Sequence, residues 1–284
     1  MDILEQLRQN RWIIWAKEEE PAEEYPQVQL VSICYRSDDC EVRGYVGVPR
    51  EEKGPLPAVI FNRGGNRAFS ALRPQVICKY ASQGFVVLGS QYRGNCGGTG
   101  QEEFGGADVN DVLRLIDIAL ELPGTFKGGV YMAGHSRGGM MTYRCCALDD
   151  RIVAAAVGSG VADCVDMYNK RVDDMKQVFQ ELLGGTPEEV PEEYRRRSAV
   201  CWVEKIKPPI LIVHGTADWR VDVSQAREME EKLQFAARLS ALRENYSAIA
   251  GSLERIQAQA ADVPAVRDEC RRAMESVRHG LELL

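Results

Sequence analysis

The sequence predicts an α/β fold, a mostly parallel sheet covered by helices on both faces. Three observations predict it. Short apolar, β-branched runs alternate with helix-forming stretches from residue 57 to about 235. The 284 residues are 45% hydrophobic, enough for one sizeable core. The stretch "YMAGHSRGGM" (131–140) joins an apolar run to a helical segment through closely spaced glycines, the corner such sheets use to carry chemistry.

Each element follows in order. "VQLVSICYR" (28–36) and "EVRGYVGVP" (41–49) are β-branched and aromatic, with Ser37, Asp38 and Asp39 as turn residues. They predict an antiparallel pair. "PAVIFN" (57–62) is a short buried strand. After Pro74, "QVICKYASQG" suits a helix ended by Gly84, and "FVVLGSQYR" (85–93) is the next strand. "DVNDVLRLIDIAL" (108–120) repeats apolar residues near the helical period, with Asp108 as N-cap. "GGVYMAG" (128–134) is a strand, followed by a helix to about Leu148; "RIVAAAVGS" (151–159) and "PPILIVHG" (208–215) are strands. Segment 161–205 breaks the rhythm: charged and helical, it reads as a cap inserted between two strands. The domain reading is a sheet domain over 1–235 with that cap inside it, and a helical extension over 236–284.

Composition excludes several functions. A net charge of −7 argues against nucleic acid as a partner. No run approaches the roughly 18 apolar residues that span a bilayer. The N-terminus starts acidic, without the basic region of a signal peptide, so the expected location is the cytoplasm. Nine scattered cysteines form no CxxC pair, so we expect buried free thiols, no metal and no cofactor. Cys96, in "RGNCGG", reads as a small loop residue or a reactive thiol.

The corner at 134–138 reads G-x-S-x-G. Gly134 and Gly138 let the chain turn sharply and lift Ser136 to the carboxyl edge of the sheet. Ser136 is the expected nucleophile. The N–H of Arg137, at the start of the following helix, points towards a developing oxyanion. The acid belongs after a later strand, and "LIVHGTADWRVDV" (211–223) offers Asp218; Asp222 is better placed to cap the next helix. A second oxyanion donor belongs after an early strand, where "FNRGGNRAF" (61–69) puts Arg63, Gly64 and Gly65. Arg63, Asn66 and Arg67 either bind a substrate carboxylate or brace that loop. "SQYRGNCGGTGQEEFGGAD" (90–108) is a second glycine-rich loop at the same edge.

Taken together, "FNRGGN", "SQYRGN", "EEFGGADVNDV", "GHSRGGMMTY", "GGTPEE", "PEEYRRRSA" and "LIVHGTADWRV" resemble the catalytic domain of the prolyl oligopeptidase family of serine peptidases, from about residue 28 to 235. The resemblance implies the α/β-hydrolase fold, Ser136 as nucleophile, Asp218 as acid and the 63–65 loop beside the oxyanion. It implies peptide substrates. Larger members place a β-propeller before this domain; we expect none in the residues before 28, which leaves ester and amide substrates open as well.

The resemblance stops after "EKLQ" (231–234). Beyond it, Leu239, Leu242, Tyr246, Ile249, Leu253, Ile256, Ala260 and Val263 alternate steps of three and four, a heptad seam. Pro264 breaks the run, with Asp262 as N-cap of a second helix. The seam packs within the chain or pairs with a second copy. Of the three histidines, His135 neighbours the serine on a tight turn, and His214 precedes the acid; both read as structural. His279 remains as the candidate base. The expectation is a serine hydrolase using Ser136, His279 and Asp218 on a peptide or small acyl substrate. A second reading is a silent scaffold whose tail mediates assembly.

Overall fold

The computed structural model describes residues 2–51, 54–171, 174–259 and 264–282. The chain divides into two compact units, 1–229 and 230–284.

The first unit is built on an eight-stranded sheet in the order β1-β2-β3-β5-β4-β6-β7-β8. These strands are β1 (Ile13–Glu19), β2 (Val28–Ser37), β3 (Cys40–Pro49), β4 (Leu56–Asn62), β5 (Val86–Ser90), β6 (Thr125–His135), β7 (Ile152–Gly158) and β8 (Ile210–Val213). The expected hairpin of β2 and β3 is present, closed with Ser37 opposite Cys40. β4 to β8 are parallel to one another, and β3 joins β5 antiparallel.

Alternation along the strands sorts the core into two layers. Ile60, Leu88, Val130 and Met132 face one side, where they meet α3 (Val109–Glu121) and α4 (Arg137–Leu148). Phe61 and Val87 face the other side and meet Ile77, Cys78 and Ala81 of α2 (Pro74–Ala81). That second face is open over the last strands: Leu211 and Val213 are 63% and 60% exposed.

Before β2, α1 (Ile3–Gln9) buries Ile3 and Leu7, and β1 extends the sheet beside β2. Acidic and basic residues mask β1, an edge strand in which Ala16 alone is buried. Three sequence expectations are corrected. β5 ends at Ser90 rather than Arg93, because the Tyr92 N–H turns to the Ser90 hydroxyl and Tyr92 adopts φ 63°. β8 covers 210–213, since Pro208 and Pro209 have no N–H to donate. Asp108 stands before α3 but caps no helical N–H; its carboxylate accepts from Gly105 N at 2.9 Å.

Between β7 and β8 lie α5 (Cys164–Lys170), α6 (Met175–Leu183) and α7 (Pro191–Arg197), then two 3₁₀ turns. They occupy the stretch read as a cap. Phe179 packs 5.0 Å from Phe104 and 5.9 Å from Tyr194. Arg197, buried, donates to the carbonyls of Glu103 and Phe104 and so fastens α7 to the glycine-rich loop.

α8 runs from Ser224 to Gln259, and α9 from Pro264 to Glu282. Its first residues belong to the first unit: Gln225 accepts from Ala162 N and Asp163 N, each at 2.8 Å. In the second unit α8 and α9 pack on each other. A Cβ on Gly280 would lie 2.7 Å from the Tyr246 ring. Leu239, Tyr246 and Leu253 are half-buried, whereas Leu242, Ile249 and Ile256 are exposed. Ala260 and Val263 of the expected seam, and Asp262, the expected N-cap, lie outside the described residues.

Candidate active site

Ser136 sits between β6 and α4 with φ 57° and ψ −123°, a conformation that L-residues rarely adopt. Backbone bonds hold it there. Its N–H donates to Gly158 O at 2.9 Å, and its carbonyl accepts from Gly139 N at 2.9 Å. Space holds it as well: a Cβ at Gly138 would lie 2.0 Å from Asn62 O, and one at Gly134 would lie 2.1 Å from Gly138 O. Both positions need glycine because the elbow is pressed against β4 and itself.

The loop after β4 reaches the same corner. A Cβ on Gly64 would stand 3.0 Å from His135 O and 3.3 Å from Ser136 Cβ. Gly64, Gly65, Phe69, Ser70, His135, Ser136, Ser159, Asp218, Arg220 and Val221 line one small cavity of about 120 Å³. Ser136, Asp218, Gly64 and Gly65 thus meet, although 154 residues of sequence numbering, 64 to 218, lie between the first and last.

Asp218 is fixed by its own loop. One carboxylate oxygen accepts from Arg220 N at 2.9 Å and Val221 N at 3.1 Å. Burial pushes its pKa up; the Val221 N–H, the Ser159 hydroxyl, the Arg220 N–H and His214 outweigh burial and hold it below the usual carboxylate range. His214 braces this loop: its Nε2 lies 2.7 Å from Val221 O and 3.8 Å from the second Asp218 oxygen. That nitrogen is on a backbone carbonyl, and the side chain is buried. Asp222 accepts from Ser224 N at 3.0 Å at the start of α8; its pKa is lowered to about 2, chiefly by the Ser224 hydroxyl.

The side chains of Arg63 and Arg137 turn away from the cavity and brace it. Arg63 donates to Gln91 O at 2.9 Å, Gly64 O at 3.1 Å and Arg67 O at 3.1 Å. Of the two sequence options for Arg63, loop bracing is the one seen. Arg137 is buried between the rings of Tyr92 and Phe104. It pairs with Glu102 at 2.9 Å, bonds Gly65 O at 3.1 Å and forms a short ion pair with Asp108. Arg67 instead pairs with Glu181 of α6, tying the loop to the cap segment.

His279 belongs to the second unit. It lies on α9 with its side chain 72% exposed and its Nδ1 3.9 Å from Glu282. Cys96 is an exposed thiol with φ 51° in the second glycine-rich loop. Most of the other cysteines are buried free thiols.

Sequence reasoning missed the polar frame under the elbow. Glu102 and Asp108 read as loop and cap residues, yet their carboxylates neutralise Arg137. Alternating arginines and carboxylates in "GHSRGG", "GQEEFGGAD" and "FNRGGN" were the available signal. Ser159, Arg220 and Phe69 were also missed as lining residues. Arg220 is stacked near the Phe69 and Trp219 rings at the cavity mouth.

The chain is similar to several known proteins. Residues 68–248 match the sequence profile of the prolyl oligopeptidase family. The uncharacterized peptidase YtmA of Bacillus subtilis is 35% identical over 208 residues, 73% of this chain and 80% of that protein. The acylamino-acid-releasing enzyme of Arabidopsis thaliana is 28% identical over 63% of this chain; the match spans only 25% of the plant enzyme. Among solved structures, Pyrococcus horikoshii acylaminoacyl peptidase superposes with a TM-score of 0.65 at 22% identity, over 76% of this chain and 36% of that one. Among the described residues no helix is long and apolar enough to cross a membrane. The chain therefore belongs to the prolyl oligopeptidase family of serine peptidases and has its α/β-hydrolase fold.

Proposed function

We propose that this protein is a cytoplasmic serine hydrolase that cleaves peptide, ester or amide bonds through an acyl-enzyme on Ser136. The observation that carries the proposal is the single cavity shared by Ser136, Asp218 and the Gly64–Gly65 backbone. Ser136 Oγ attacks the acyl carbonyl. An imidazole takes its proton and returns it to the leaving group, and Asp218 orients that imidazole. The backbone N–H of Arg137 and those of the 63–65 loop stabilise the oxyanion.

We assign the imidazole to His279. His214 is committed to Val221 O, and His135 shares the strained turn with the nucleophile. Among the described residues the exposed ring of His279 has Glu282 at 3.9 Å and no bond to a backbone carbonyl. The working domain extends over 1–235, with 161–205 as its cap and 236–284 as a helical extension.

Peptide and N-acyl amino acid derivatives are the first substrates to try, since relatives carry peptidase and acylamino-acid-releasing names. The relatives' names favour an enzyme over a silent scaffold. The test is hydrolysis of N-acetyl amino acid p-nitroanilides and p-nitrophenyl esters. The wild type should turn over at least one series, and His279→Ala should lose on the order of 10⁴-fold in kcat. An active His279→Ala enzyme would remove His279 from the mechanism and leave Ser136 to be tested separately.

A further inference from the structure

Side chains hold three consecutive carbonyls of the loop after β4. Tyr92 Oη donates to Arg63 O at 2.9 Å, Arg63 Nη1 to Gly64 O at 3.1 Å, and Arg137 Nη1 to Gly65 O at 3.1 Å. A trans peptide is planar, and its N–H points opposite to its C=O. Each bond therefore turns the following N–H the other way, those of Gly64, Gly65 and Asn66 in turn. Among the described residues, Gly64 N and Gly65 N donate to no protein acceptor. Both residues line the cavity of Ser136, and an added Cβ on Gly64 would stand 3.3 Å from Ser136 Cβ. The loop thus offers that cavity backbone donors whose directions are set from behind.

Tyr92 is the most constrained of the groups that set them. It is fully buried and adopts φ 63°, a conformation that a bulky residue rarely takes. Its ring lies between two guanidinium groups, Arg63 at 5.0 Å and Arg137 at 4.7 Å. Burial pushes the pKa of its hydroxyl up, against the pull of both arginines, so the hydroxyl remains a donor. The ring fills the core; the hydroxyl reaches the loop.

We propose that Tyr92 is a positioning residue for the oxyanion site: by holding Arg63 O, its hydroxyl aims the Gly64 N–H at the oxygen that becomes negative when Ser136 attacks. This role rests on the acyl-enzyme at Ser136 proposed above and adds a residue to it. Arg63 does the same for the Gly65 N–H through Gly64 O. A donor fixed in direction before the reaction needs no reorganisation as charge develops, so the gain falls on the transition state. A ground-state carbonyl takes a weaker bond from the same donor, so substrate binding gains less.

The test is steady-state hydrolysis of the same p-nitroanilides and p-nitrophenyl esters by Tyr92→Phe, with sites counted by fluorophosphonate labelling carried to completion. Per labelled site, kcat should fall about tenfold or more, with KM within about twofold of the wild type. Tyr194→Phe loses a comparable hydroxyl–carbonyl bond, to Gly185 O at 3.0 Å in the cap segment, and should leave kcat unchanged. Arg63→Lys, for use if Tyr92→Phe misfolds, keeps a positive charge beside Glu102 but has no planar fork to span Gln91 O and Gly64 O. It should show the same split between kcat and KM. A smaller fall in kcat, a matching rise in KM, or an equal fall in Tyr194→Phe overturns the positioning role, while wild-type turnover keeps Ser136 as nucleophile. A wild type that neither turns over nor labels would overturn both.

Discussion

The carboxylate of Glu102 lies 2.9 Å from the guanidinium of Arg137, the residue directly after Ser136. The same carboxylate accepts from Arg67 N at 2.6 Å and from the Asn95 amide at 2.9 Å, and sits 3.8 Å from Arg63. One buried acid therefore joins the elbow, the loop after β4 and the glycine-rich loop after β5. Removing it leaves two buried arginines short of a counter-charge. Glu102→Ala should cost about 3–5 kcal/mol of stability, read as a lower urea midpoint. A midpoint like that of the wild type would mean that water replaces the carboxylate at little cost.

Glu102 also predicts a pH dependence. Burial would raise its pKa; Arg137, by charge and hydrogen bond, and the Arg67 and Asn95 donors outweigh burial and lower it. An acid whose folded pKa is lowered binds its proton less well in the folded state. It stabilises the fold fully above its unfolded pKa, about 4.3. That stability is lost as pH falls through the lower folded value. Unfolding free energies should therefore fall below about pH 4.3 in the wild type and fall less steeply in Glu102→Gln. Parallel curves for the two proteins would contradict the assignment.

Asp218 is tied to its loop by Arg220 N and Val221 N on one oxygen, and His214 Nε2 lies 3.8 Å from the other. Asp218→Asn should keep that frame but lose the charge that holds and stabilises an imidazolium. We expect kcat to fall on the order of 10⁴-fold, with a small change in KM and in melting temperature. A large fall in melting temperature with modest loss of kcat would make Asp218 a loop brace only.

Gly64 borders the cavity without room for a side chain. Its added Cβ would press His135 O at 3.0 Å and Ser136 Cβ at 3.3 Å. Gly64→Ala should shift the loop backbone by a few tenths of an ångström and cost on the order of 10²-fold in kcat, while the circular dichroism spectrum is unchanged. Full activity would remove the 63–65 backbone from the oxyanion site.

Much of this arrangement was legible in the sequence because it rests on local patterns. The β2–β3 hairpin, the parallel strands and the elbow each carry their own periodicity or turn chemistry. β1 was not legible: as an edge strand it buries Ala16 alone, and its charges hide the pairing with β2. Asp108 was misread for a related reason. Its position is that of a cap, but its partner Arg137 lies 29 residues away in sequence, and no local rule reports it. The exposed half of the α8 seam shows the reverse case. The heptad spacing was visible in sequence, yet only exposure separates the Leu239 row from the Leu242 row.

The proposed chemistry rests on Ser136 as an activated nucleophile. The direct measurement is intact-protein and peptide mass spectrometry after treatment with a fluorophosphonate. One adduct per chain, located on Ser136, is expected, and none in Ser136→Ala. An unlabelled wild type, or an adduct on another residue that survives in Ser136→Ala, would contradict it.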